Sequence, residues 1–106
     1  MAKQIVLTHK GVDYTLEFNR KTVRQMEANG FVIDKETPAT MITELFKGAF
    51  LMHHRRIDAA LVEEIWDAQR GKEQLLSTLV SMYVEPIAAL MDDDADGDEN
   101  PTWKVL

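Results

Sequence analysis

The stretch "KQIVLTHKGVDYTLEFN" (Lys3–Asn19) decides the fold class. Ile5 and Leu7 alternate with polar neighbours, and Val12, Tyr14, Leu16 and Phe18 then do the same. Lys10-Gly11 lies between the two runs, and glycine supplies the positive φ that a tight turn needs. Alternation at period two gives one apolar and one wet face. The pattern predicts a β-hairpin. A lone hairpin is marginal in water, so its apolar face must lie on something else. The rest of the chain has helical spacing. The expected class is therefore α+β: an N-terminal β-hairpin packed on a three-to-four-helix bundle, followed by an acidic flexible C-terminal tail.

Working outward, Asn19 caps a first helix over about 20–29, and Gly30 stops it. Val23 and Met26 give that helix only a thin apolar stripe. Phe31, Val32 and Ile33 are expected to pin the next connector to the core. Thr37-Pro38 reads as a helix start, with proline at the first helical position. This second helix is expected to reach about His54. Met41, Ile42, Leu45, Phe46, Ala49 and Met52 form a broad apolar face, and Phe50 widens it beyond what a small bundle needs. Asp58 starts a third helix, Ile57 is placed to staple onto Val62, and Gly71 is the expected stop. Leu61, Val62, Ile65 and Trp66 should face inward. A fourth helix covers about 72–91. Pro86 lies inside it and predicts a kink or a break, because proline removes a helical hydrogen bond and clashes with the preceding turn.

The length of 106 residues fits one domain, drawn here as 1–91, with 92–106 as acidic linker and apolar end segment. There is no cysteine, which excludes a disulfide scaffold, a thiolate metal site and a cysteine nucleophile. No apolar run approaches the roughly 18 residues of a membrane span, and "MAKQIVLTHKG" lacks the apolar core of a signal peptide. The expected location is the cytoplasm, with no membrane partner. The formal charge is −6, yet Asp92, Asp93, Asp94, Asp96, Asp98 and Glu99 supply six of the 18 acids. The remaining twelve acids balance the 12 bases. Neither part has the basic face that nucleic acid requires.

Asp92, Asp94, Asp96 and Gly97 fall at the first, third, fifth and sixth positions of a calcium loop. Position twelve, which demands a bidentate glutamate, is Trp103, and position ten is Pro101. A solvated acidic linker is the better reading. His53-His54-Arg55-Arg56 suits cations complementing a helix C-terminus, or a phosphate or carboxylate site. Adjacent histidines point about 100° apart on a helix and rarely chelate one ion, and only His9 remains as a further imidazole. Glu63-Glu64 reads as a solvated helix face. No phosphate-binding loop, dinucleotide fingerprint or glycine-flanked nucleophile is present. No enzymatic activity, metal or cofactor is expected. The final "PTWKVL" is apolar after a charged run, and docking through Trp103, in cis or in trans, is favoured over free flexibility. Five of the six methionines are read first as core filler, although methionine also suits surfaces that accept varied apolar segments.

The order of parts resembles the small tail assembly chaperone-like proteins of siphophages and Gram-positive prophages. The resemblance spans about residues 4–106. It rests on Leu16-x-Phe18-Asn19 leading into a helix, Glu27-x-x-Gly30-Phe31, Leu45-Phe46 with Ala49-Phe50, and the acidic tail ending in Trp103. It implies a non-enzymatic helical protein of the bacterial host cytoplasm that binds tail proteins such as the tape measure or the tail tube. Phe46, Phe50, Met52, Trp103, Val105 and Leu106 are the candidate interaction residues. The alternatives are a structural tail or head–tail joining component that self-associates as a homo-oligomer, and a regulatory acidic, calcium-responsive protein.

Overall fold

The Lys10-Gly11 turn has both residues at positive φ, +50° and +80°. That is the primed turn whose twist matches two flanking strands. It joins β1 (Ile5–His9) to β2 (Val12–Leu16) in an antiparallel pair, with Ile5 opposite Leu16, Leu7 opposite Tyr14 and His9 opposite Val12. This computed structural model describes residues 4–34, 36–92 and 103–106. The α+β class holds: the hairpin is followed by four helices, α1 (Arg20–Ala28), α2 (Pro38–Phe50), α3 (Ala59–Ala68) and α4 (Lys72–Ala89). Leu7 and Leu16 are buried on the inner face of the hairpin.

Local chemistry sets the helix ends. Asn19 Oδ1 accepts from the Thr22 N–H at 2.8 Å and from the Thr22 hydroxyl at 2.9 Å. At the other end of α1, Gly30 turns to φ +91°. Its N–H donates to Glu27 O, and Phe31 N–H donates to Met26 O, which satisfies two orphan carbonyls. Pro38 opens α2 as expected, but the Thr37 side chain makes no cap bond. α3 ends at Ala68, before Gly71, because Lys72 Nζ reaches back to Gln69 O at 2.7 Å and Asp67 O at 3.2 Å. Gly71, at φ +68°, caps the start of α4 instead.

α2 is the central element. It packs on α3, α4 and β2, so Leu45, Phe46, Ala49 and Phe50 are fully buried. This explains the width of its apolar face: it is covered from three sides. The Phe46 ring meets Phe50 and Trp66 edge-on, each at 5.0 Å between centroids, and Phe50 meets Tyr14 at 5.8 Å. A second cluster joins Tyr83 to Phe18 at 5.4 Å and to Phe31 at 5.1 Å. Phe31 and Ile33 pack against the core, whereas Val32 points outward at 67% exposure and pins nothing.

Two expectations about helix length are corrected. α2 stops at Phe50 rather than near His54, because the chain tightens there into turns, with Leu51 N–H on Gly48 O and His53 N–H on Phe50 O. α4 runs through Pro86 without a break and ends at Ala89. Met82 and Tyr83, one turn earlier, are anchored in the core, and only one further turn follows the proline. An interior proline still costs a helix about 3 kcal/mol. Pro86→Ala should therefore stabilise the protein, by about 1 kcal/mol or more once local adaptation is allowed for. Urea unfolding measures it, and a lower midpoint in the variant would show that the chain depends on the proline.

Candidate interaction surface

Gly48 is the only glycine inside a described helix. A Cβ there would run into the Sδ and Cε of Met26. The missing side chain lets α1 lean on α2 at this point. Beside the contact lies an open groove of about 640 Å³ between α1 and α2. Met26, Phe31, Met41 and Leu51 give it apolar walls, while Glu44 and Lys47 stand along it. Flexible thioethers adapt to differently shaped apolar guests. A second apolar surface is the outer face of the α4 end. Val84, Ile87, Leu90 and Met91 are exposed there at 44, 38, 53 and 86%.

The histidines do different work from the helix-dipole role expected of them. They lie beyond α2 and clip it to the hairpin. A carboxylate can only accept, so His53 Nε2 donates to Glu17 Oε1, at 2.9 Å. Gln4 Nε2 donates to the same oxygen at 2.8 Å. His54 plays the opposite part: its Nε2 accepts the backbone N–H of Thr15 at 3.0 Å, which requires the neutral ring. His9 Nε2 donates to Glu64 Oε2 at 2.8 Å, and Lys10 Nζ lies 3.2 Å from that oxygen. Glu64 thus ties the hairpin tip to α3 and is not a bare solvated face. Hydrogen bonding by His9, then by Lys10, holds its carboxyl below the usual value. Among the described residues no group of three acids or imidazoles is placed to hold a metal.

A family model matches residues 1–106 and is described as a domain of unknown function, DUF5055. The chain belongs to the DUF5055 family. No curated protein and no solved structure matches it.

Within this DUF5055 fold the candidate residues separate. Phe46 and Phe50 are 1% and 0% exposed, so they belong to the core and offer no surface to a partner. Met52 sits on the turn after α2 at 39% exposure. Trp103, Val105 and Leu106 are exposed at 71, 87 and 107%. The docking of Trp103 onto its own domain is therefore not what the structure shows. Most of the calcium-loop positions, 93–102, lie outside the described residues. Met26 and Met82 are core filler, Met41 is half-buried, and Met52 and Met91 are exposed. Sequence reasoning missed the groove, although Gly48 signalled it: a glycine inside a helix costs about 1 kcal/mol against alanine and marks a close approach.

Hydrogen bonding from His53, then from Gln4, holds the Glu17 carboxyl below its ordinary 4.5, against the opposing effect of burial. A carboxyl whose folded pKa is depressed adds stability that is complete above its unfolded pKa and is lost as pH falls through the folded value. The acid limb below about pH 4.5 should therefore carry a Glu17 contribution. Glu17→Gln should flatten the fall in melting temperature between roughly pH 5 and pH 3. Parallel acid limbs in the two proteins would contradict the assignment.

Proposed function

We propose that this DUF5055 protein is a non-enzymatic assembly chaperone or scaffold-like protein of a phage tail. In this reading it acts in the cytoplasm of the bacterial host, and its α1–α2 groove holds an apolar segment of a tail protein such as the tape measure or the tail tube. The observation that carries the reading is the groove itself, open, about 640 Å³ in volume and walled by Met26, Phe31, Met41 and Leu51. An apolar helix laid into such a groove is a recurring recognition mode. The resemblance in chain order to tail assembly chaperone-like proteins supplies the partner class. Among the described residues no helix is long and apolar enough to cross a membrane.

A second reading, a tail or head–tail joining component that self-associates, is favoured by one feature. The outer edge of β1 carries no partner among the described residues. The calcium-responsive reading has no comparable support, since Trp103 offers no oxygen where a calcium loop closes.

The test is co-purification with the tail proteins of a phage or prophage encoding a DUF5055 protein, followed by titration with any that is captured. Met41→Lys and Leu51→Asp put charge into the groove from half-buried positions, so the fold should survive, as circular dichroism will show. Groove walls that anchor a partner typically cost about 2 kcal/mol or more when lost. Affinity should fall roughly 30-fold or more in each variant. Undiminished binding by both folded variants would remove the groove from the mechanism.

A further inference from the structure

We infer that the outer edge of β1 pairs with the β1 of a second copy, making one continuous four-stranded sheet across a two-fold axis. His9 and Val12 flank the two-residue turn, so the hydrogen-bonded pairs of the hairpin are His9–Val12, Leu7–Tyr14 and Ile5–Leu16. The backbone groups of Val6 and Thr8 on β1, and of Thr15 and Glu17 on the β2 side, therefore point away from the ladder.

The two edges are treated differently. On the β2 side, Thr15 N–H donates to His54 Nε2 at 3.0 Å and Glu17 N–H donates to Ala49 O at 3.0 Å. That edge is closed by the end of α2. On the β1 side, the N–H and C=O groups of Val6 and Thr8 meet no partner among the described residues. Native proteins guard such an edge with charges, proline or a bulge. From Gln4 to Thr8 there is no charge and no proline, and the register is regular throughout. Val6 stands 62% exposed on this strand.

A second copy fits this edge because β1 is complementary to itself when reversed. With Val6 opposite the partner's Val6, Gln4 falls opposite Thr8, and Ile5 falls opposite Leu7 on the inner face. No like charges meet. The outward groups of Val6 bond reciprocally, as a two-fold interface requires. A pair rotating about an axis normal to the sheet keeps both helical layers on one side, so the buried face of Ile5 and Leu7 is extended. A two-stranded sheet is marginal alone, and four strands are not. The contact is remote from the α1–α2 groove, so the inference stands whether or not the groove binds a tail protein.

The experiment uses the full chain at tens of micromolar, with light scattering for mass and amide hydrogen exchange for the edge. The expected mass is twice 12.1 kDa, with the Val6 and Thr8 amides protected and losing protection on dilution. Val6→Lys places like charges opposite each other and should give a monomer. Thr8→Pro removes an outward N–H without touching the hairpin ladder, and proline is tolerated on edges that face outward. It should also give a monomer, and Met41→Lys should not. A wild-type monomer at these concentrations would overturn the proposal, as would a dimer that persists in both edge variants. Protected Val6 and Thr8 amides at monomer mass would also overturn it, assigning the edge to another segment of the same chain.

Discussion

The hydrogen bond from the Glu17 N–H to the carbonyl of Ala49 joins the two halves of this protein. The last carbonyls of a helix have no partner within it, and the outer N–H groups of an edge strand have none within the sheet. Here each satisfies the other. His54 extends the same seam by accepting the Thr15 N–H, and His53 holds the Glu17 side chain beside it. The early stop of α2 follows. Were the helix to continue to His54, the imidazoles would be carried around its axis by about 100° per residue and could not both face β2. The turns at 51–53 place two adjacent histidines on one strand, one as donor and one as acceptor.

With the hairpin fixed to the end of α2, that helix becomes the centre of the core. α3 and α4 cover its other faces, and the Phe46–Phe50–Trp66 contacts fill the space between. α1 is left at the side. It is held by its two caps, by Val23 and Met26, and by Phe31 on Tyr83. A short helix with a thin apolar stripe cannot cover all of α2, and the uncovered strip beside Gly48 is the groove. The groove is thus a by-product of unequal helix widths, kept close to the core by a residue without a side chain.

Much of the architecture was legible because it is set locally. Lys10-Gly11, Asn19, Gly30 and Pro38 act through φ preferences or short-range bonds, and each sits at its expected boundary. What failed depends on distant partners. Gly71 looked like a helix stop, but the Lys72 ammonium ends α3 earlier. Pro86 predicts a kink or a break, and of the two the break is excluded: with Met82 and Tyr83 held in the core, the helix runs past it. Phe46 and Phe50 looked like surplus surface because a sequence does not show how many neighbours a helix has. The histidine clamp spans 36 and 39 positions in sequence and has no local signature. The groove had one, the glycine at position 48, whose meaning needed Met26 beside it.

The distribution of charge bears on all three apolar surfaces: the groove, the α4 end and the β1 edge. Six of the 18 acids are concentrated between Asp92 and Glu99, and the remaining chain balances 12 bases with as many acids. A neutral body presents no long-range barrier to an approaching partner or second copy, and short-range packing decides what binds. A net charge of −6 spread evenly would instead oppose self-association at every encounter. Concentrating it in one segment keeps the molecule away from zero net charge, which favours solubility, and leaves the strand from Gln4 to Thr8 without a charge. A domain of this size cannot bury all its apolar area. Part of that excess lies exposed on β1 and at the α4 end, at Val6, Val84, Ile87, Leu90 and Met91, while the net negative charge lies in the run from Asp92 to Glu99.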